Sequence, residues 1–249
     1  MARIELRDVT IYFEDGFSGN AVIGANVSIN ATTMNVNTVN VTSVNTSVEK
    51  VAVGSRFTTN TVNDSTIYTV TATTEDGNGN TNTLNFTPAK VVASVTADVV
   101  TFSGQHLEIK IGEGNLTWTE TKEYEYVLDR GDLDTVKEGD EIPVEVNLEF
   151  AYEFIKSSSG TDITPIDALK QTGNASEWVS SSTDQCEPYC IDILAKHCVP
   201  CGTDQDEDVL LQFFRWETLD YDIGEATIAV TGRCNISSAV VSRSTDAEC

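Results

Sequence analysis

LEIKIGEGNLTWTETKEYEYVLDRGDLDTVKEGDEIPVEVNLEFAYEFI, residues 107–155, holds the pattern that decides the fold. In its last part Val144, Val146, Leu148, Phe150, Tyr152 and Phe154 alternate with Glu145, Asn147, Glu149, Ala151 and Glu153. Side chains of an extended chain point alternately to opposite faces, so this is one long strand, apolar on one side and acidic on the other. Upstream, Leu107, Ile109 and Ile111 alternate with Glu108 and Lys110, Gly112-Glu113-Gly114-Asn115 supplies a turn, and Leu116 and Trp118 resume the alternation, which predicts a hairpin. Tyr124, Tyr126 and Leu128 keep the apolar phase. From Asp129 to Glu141 the period is lost in an acidic, glycine-punctuated run that reads as a long loop, and loops of that length are usually functional or disordered.

Working outward, the chain is strand-rich almost throughout. Ile4 and Leu6, then Val9, Ile11 and Phe13, predict a first strand closed by Asp15-Gly16. Residues 21–53 are built from Asn, Thr, Ser and Val, and Val36, Val39, Val41, Val44 and Val48 among threonines favour a solvated sheet over a disordered tract. Further strands are expected at Thr66–Ala72, Thr83–Phe86 and Asp98–Phe102, with a turn at Asp76-Gly77-Asn78-Gly79, and late in the chain at Ile191–Ala195, Val209–Phe214 and Ala226–Thr231. One short helix is signalled by Thr164 as N-cap, Pro165 at the first helical position, Asp167 in the first turn and Gly173 beyond the end. Many strands with one helix make an all-β sandwich or barrel.

With 39 acidic against 15 basic residues the formal net charge is −24, which argues against a protein that grips nucleic acid through clustered Lys and Arg. The N-terminus shows no cationic start followed by an apolar run, and no apolar stretch approaches the ~20 residues needed to span a bilayer. The expectation is a soluble protein made in the cytoplasm, with no membrane partner.

Candidate chemistry is sparse. Cys186, Cys190, Cys198 and Cys201 form a C-x3-C…C-x2-C arrangement beside His197, open to three readings: a zinc site, paired disulfides or inert thiols. Cys234 reads as a small buried hydrophobe at a strand end, and Cys249 as an exposed thiol. Nine Asn-X-Ser/Thr sequons and an Arg130-Gly131-Asp132 tripeptide are what chance supplies in a chain of this composition. Glu145, Glu149 and Glu153 on one strand face offer carboxylate pairs for acid/base work, but any strand of so acidic a chain does. There is no nucleophile elbow and no phosphate loop, and neither histidine sits in a triad context, so no enzymatic activity is expected. Trp118, Trp178 and Trp216 keep open a carbohydrate-binding or surface-layer protein as the alternative class.

Several blocks carry a resemblance: MARIELRDVTIYFEDGFSGN (1–20), VAVGSRFTT (51–59), YTVTATT (68–74), LNFTPA (84–89), GEGNLTWTETKEYEYVLDRGDLDTVKEGDEIPVEVNLEF (112–150) and WETLDYDIGEATIAVTGRCN (216–235). In this order they resemble the tail tube proteins, or major tail proteins, of long-tailed bacteriophages. The resemblance implies a β-sandwich flanked by a helix, hexameric rings closed by extending sheet edges, and rings stacked into a tube. Double-stranded DNA would pass through it without tight binding. It also implies residence in the virion after assembly in the host bacterial cytoplasm, beside other tail proteins. Blocks of tube character on both sides make residues 20–103 an inserted β module between 1–19 and 104–249. On this reading Asp129, Arg130, Asp132, Asp134, Lys137, Glu138 and Asp140 form an inter-subunit loop. Glu145, Glu149 and Glu153, with Glu123 and Glu125 close behind, are the candidates for a lumen wall that repels DNA.

Overall fold

The computed structural model describes residues 9–42, 50–111, 115–130, 132–152, 163–184, 186–197 and 206–244. Strands dominate. In chain order they are β1 (Val9–Glu14), β2 (Gly19–Ile23), β3 (Thr33–Val41), β4 (Arg56–Thr59), β5 (Tyr68–Glu75), β6 (Thr81–Thr87), β7 (Val99–Ser103) and β8 (His106–Ile109). There follow β9 (Leu116–Thr119), β10 (Lys122–Asp129), β11 (Asp132–Glu141), β12 (Val144–Ala151), the helix α1 (Pro165–Lys170), β13 (Ile191–His197), β14 (Asp206–Asp222), β15 (Thr227–Cys234) and β16 (Val240–Ser244). Among the described residues the protein is all-β with one short helix, as the alternation and the single capped segment require.

The chain divides into two compact units. The first comprises Met1–Phe13, Glu108–Pro165 and Cys190–Cys249 and contains the larger sheet; the second comprises Glu14–Leu107 and Ile166–Tyr189 and contains a barrel.

In the sheet unit, eight strands run in the order β8-β1-β13-β14-β15-β12-β9, with β16 also on β14. The alternation of β12 does what its sequence dictates: Val144, Val146, Leu148 and Phe150 are buried while Glu145, Asn147 and Glu149 are exposed. Facing residues of β15 obey the same phase, Val146 lying across from Gly232, Leu148 from Val230 and Phe150 from Ile228. Phe13 meets Phe150 edge-on at 6.3 Å between ring centroids, a geometry worth about 0.5–1.5 kcal/mol beyond the buried area. The long strand β14 bends at a bulge: Phe213 takes φ of 58°, and the register with β15 slips between Trp216 and Thr218. Gly232 sits opposite that bend, where a Cβ would lie 2.2 Å from the Arg215 carbonyl oxygen, so only glycine lets the two strands approach. The sequence predicts β14 only as far as Phe214; its second half, with Glu217, Asp220 and Asp222 exposed, hides its strand character because little of it is buried.

In the barrel unit, β2-β3-β6-β5-β4-β7 close into a six-stranded barrel, every neighbouring pair antiparallel. Closure removes the free edges that otherwise invite pairing with other chains. Inside, Phe57 stacks on Tyr68 at 5.2 Å and meets Phe86 and Phe102 edge-on, with Met34, Val36, Val70, Leu84 and Val100 around them. The Asn/Thr/Val tract of 33–41 is a strand with Met34 and Val36 inward and Asn35 and Asn37 outward.

A carboxylate ties the remaining segments of this unit together. Asp15 is buried; its Oδ1 accepts the N–H groups of Gln105 (2.8 Å) and Phe17 (3.3 Å), and its Oδ2 that of Val179 (3.3 Å). Trp178, also buried, donates its indole N–H to the Gln105 side chain at 2.9 Å. Backbone runs so close here that a Cβ on Gly16 would fall 2.0 Å from the Ser180 carbonyl oxygen, and one on Gly104 would fall 2.4 Å from that of Asp15. The helix α1 begins at Pro165 and gives way to left-handed backbone at Gln171 and Gly173, the glycine expected beyond its end.

Candidate functional site

The segment expected to be a loop is a strand. β10 and β11 form an antiparallel ribbon, from Lys122 opposite Glu141 to Asp129 opposite Asp132, turning at Arg130 with φ of 53°. It continues the β9–β12 pair of the sheet unit, in which Thr119 lies opposite Glu145, through two short connections of two residues each, 120–121 and 142–143. Among the described residues neither strand of the ribbon packs appreciably on any other element. At about 3.3 Å per residue, β10 alone reaches roughly 25 Å.

The ribbon has two unlike faces. Tyr124, Tyr126 and Leu128 share one, and the register sets Val136 across from Tyr126 and Leu133 across from Leu128. All five are exposed, Leu133 at 71% and Tyr126 at 60%. The other face carries Glu123, Val127, and Glu125 directly across from Lys137. Gly139 leaves room for the Glu123 stem: a Cβ there would fall 2.8 Å from Glu123 Cγ. At the ribbon's root, Glu120 accepts the Ser238 hydroxyl at 2.8 Å and the Ala239 N–H at 3.1 Å, and these bonds hold its carboxyl below the usual range. Asp134, Lys137, Glu138 and Asp140, expected on a loop, therefore lie on β11, as does Asp132 at its start; Asp129 ends β10 and Arg130 makes the turn. The loop reading failed because a strand solvated on both faces need not alternate.

The acidic candidates fall on two different sheets. Glu123 and Glu125 belong to the ribbon, whereas Glu145 and Glu149 stand on the exposed face of β12 in the eight-stranded sheet; Glu153 lies outside the described residues. On that face Glu145 is not a bare charge. Arg233, opposite it on β15, donates to Glu145 at 3.0 Å and lies 3.7 Å from Glu217. Glu149 faces Ala229, and one strand further lies Asp220, so this row is acidic without an arginine in it.

Of the C-x3-C…C-x2-C arrangement, only Cys186 and Cys190 lie among the described residues. Cys186 is exposed in the barrel unit, Cys190 and Cys234 are buried in the sheet unit, and Cys198 and Cys201 lie outside the described residues, as does Cys249. Among the described residues no group of three or more His, Cys, Asp or Glu side chains is arranged to hold a metal. Burial pushes the Cys234 thiol up to about 12, helped by Asp192 and Cys190, so it stays protonated and unreactive. His197 ends β13, and His106 stands between Glu14 (2.8 Å from Nε2) and Arg56 (2.8 Å from Nδ1). The Asp76 turn is a turn: its carboxylate accepts the N–H groups of Asn78 and Asn80. No helix among the described residues is long and apolar enough to cross a membrane.

One cluster that sequence reasoning did not find lies in the barrel unit. Lys90 and Asp64 form an ion pair with both side chains fully buried. Thr59 donates to Asp64 at 2.9 Å, the Tyr68 hydroxyl lies 3.1 Å from both Asp64 oxygens, and the Lys90 ammonium sits 4.7 Å from the Tyr68 ring centroid. Burial by itself raises the Asp64 carboxyl, but the hydrogen bonds from Lys90, Thr59 and the Thr66 N–H, with the lysine charge, bring it below its ordinary value. The available signal was weak: one lysine, in TPAKVVA, inside a tract nearly free of charge.

No known protein family, no curated protein and no solved structure matches this chain.

Proposed function

We propose that this chain is a structural subunit that assembles with copies of itself into a hollow tube of the kind found in the tails of long-tailed bacteriophages. Rings, hexameric by the resemblance, would stack into a conduit for double-stranded DNA within the virion, beside other tail proteins. The observation that carries this reading is the β10–β11 ribbon, which continues from a sheet edge, packs appreciably on no other element among the described residues and exposes five apolar side chains on one face. A two-stranded hairpin alone is at best marginally stable in water, and an exposed apolar row of this kind gains by being covered. A second copy is the natural cover, because a head-to-tail contact repeated along an axis grows a filament without closing. The acidic row at Glu149 and Asp220 suits a wall past which a polyanion slides, since clustered Lys and Arg would hold it. High net charge of one sign makes such assembly depend on salt.

Negative-stain electron microscopy of the purified protein across a salt series tests the proposal. Rings or tubes are expected, with more assembly as salt screens the subunit charge. Monomers at every concentration and ionic strength, above all monomers that bind glycans on an array, would overturn it.

A further inference from the structure

We propose that Lys90 and Asp64 are joined in the mature protein by a side-chain amide bond that the barrel forms by itself. Four features of the cluster supply what such a reaction requires. The Lys90 amine nitrogen is in direct contact with Asp64 Oδ2, and neither side chain is accessible to solvent. Thr59 Oγ1 accepts from Lys90 Nζ at 2.7 Å and donates to Asp64 Oδ2 at 2.9 Å, so one hydroxyl bridges the nucleophile and the oxygen that must leave. The other oxygen, Oδ1, faces two donors, the Thr66 N–H at 3.2 Å and the Tyr68 hydroxyl at 3.1 Å, placed as an oxyanion site is placed. Around them, Tyr68 packs on Phe57 and Phe86 and makes the surroundings apolar.

The chemistry follows from burial. An ammonium and a carboxylate out of water each carry a penalty of several kcal/mol; the hydrogen bonds keep Asp64 ionised at rest, and transfer of a proton from Nζ to Oδ2 gives the reactive form, a neutral amine and a neutral acid in contact. The nitrogen lone pair attacks Cγ, a C–N bond forms, and the negative charge that develops on Oδ1 is met by Thr66 and Tyr68. A second proton leaves nitrogen, passes through the Thr59 hydroxyl and reaches Oδ2; the C–O bond breaks and water departs. Ammonium plus carboxylate thus become a secondary amide plus water, with no oxidant, reductant or co-reactant. Fixed contact replaces the encounter of two solutes, an advantage equivalent to very high effective concentration. The product has no buried charge, keeps its donors on Oδ1, and leaves an N–H facing Thr59. It staples the β4–β5 connection to the segment after β6.

Mass spectrometry of the intact, denatured chain decides the matter. The expected result is a chain lighter by one water, yielding on proteolysis a branched peptide in which residue 64 is linked to residue 90, with cleavage after Lys90 blocked. Lys90→Met is expected to restore the full mass, and Thr59→Val to slow the loss of water so that the unlinked form can be followed with time. Dehydration at Asp76-Gly77 would give the same mass change without a branch. Full mass in the wild-type chain after prolonged incubation in the folded state, a water loss that persists in Lys90→Met, or an unbranched peptide carrying the dehydration would each overturn the proposal. The wild-type measurement stands even where a variant does not fold.

Discussion

The two units solve the same problem in opposite ways. In the barrel unit every one of the six strands has two neighbours, and residues 20–103 hold three basic residues, Lys50, Arg56 and Lys90, against five acidic ones, Glu49, Asp64, Glu75, Asp76 and Asp98. The sheet unit is open: its path ends at β8 and β9, a solvated ribbon continues from it, and its 28 acidic and 11 basic residues carry −17 of the net charge of −24. A closed, nearly neutral barrel has no reason to recruit another chain through its edges. An open sheet with a bare apolar ribbon does. On the proposed function, stability is concentrated in the first and the capacity to assemble in the second, and that contrast can be broken or sharpened by substitution.

The largest effect is expected at Lys90. Lys90→Met removes the proposed link and leaves the Asp64 carboxyl buried without a partner, and removing one partner of a buried pair typically costs about 3–5 kcal/mol. Denaturant unfolding of the barrel is expected to shift by at least that order, and Lys90→Met with Asp64→Leu to recover the part due to the stranded carboxyl, because the apolar pair fills the space without a charge, but not the part due to the lost link. If the single variant unfolds like the wild type, the barrel does not depend on this cluster and the contrast with the sheet unit weakens.

Asp15 comes next, and its effect has a pH signature. Burial raises its carboxyl from 3.8 to about 6 against the opposing pull of the N–H groups of Gln105, Val179 and Phe17 and the charge of His106. The folded state therefore binds this proton more tightly than the unfolded chain does, so this group's contribution to stability is present at acid pH and is lost as pH rises through about 6. At one pKa unit per 1.36 kcal/mol the full swing is on the order of 3 kcal/mol. Compared with Asp15→Asn, the wild type should gain stability between about pH 7 and pH 4, opposite in sign to the usual acid loss of paired carboxylates. A difference that is flat across that range would mean the site hydrates when charged.

How much of this was legible in the sequence depended on burial on one side only. β12 could be read residue by residue because Val144 to Phe150 alternate between core and solvent. α1 could be read because Pro165 and Gly173 mark its ends. β11 could not, since DLDTVKEGDE has solvent on both faces and no face-specific selection of side chains. Nor could the Lys90–Asp64 cluster, whose members lie 26 residues apart and meet only when β4, β5 and β6 close the barrel. The acidic face of β12 was visible, but its pairing of Glu145 with Arg233 needed the β12–β15 register.

On the ribbon, Tyr126→Ser with Leu133→Ser is expected to change the stability of the isolated chain by no more than about 0.5 kcal/mol, since both side chains are exposed, yet to abolish assembly. Sedimentation and microscopy would separate the two effects. Wild-type tubes from the double variant would show that the apolar row is not an assembly surface.

The smallest effect on folding, and the most specific on function, is expected from Glu149→Lys. Glu145 is the poorer choice, because a lysine there would face Arg233 and destabilise the sheet by like charge, mixing two effects. Glu149 faces Ala229, and Asp220 beyond it can accept the new cation, so the subunit should fold and assemble as before. If this row lines the conduit, each ring then carries a circle of cations. DNA presents about one negative charge per 1.7 Å of axis, and those cations should retain it at low salt with a hold that weakens steeply as salt displaces the gain from counterion release. Tubes that bind no DNA at low ionic strength would place Glu149 on an outer surface, and the contrast between the units would then rest on the ribbon alone.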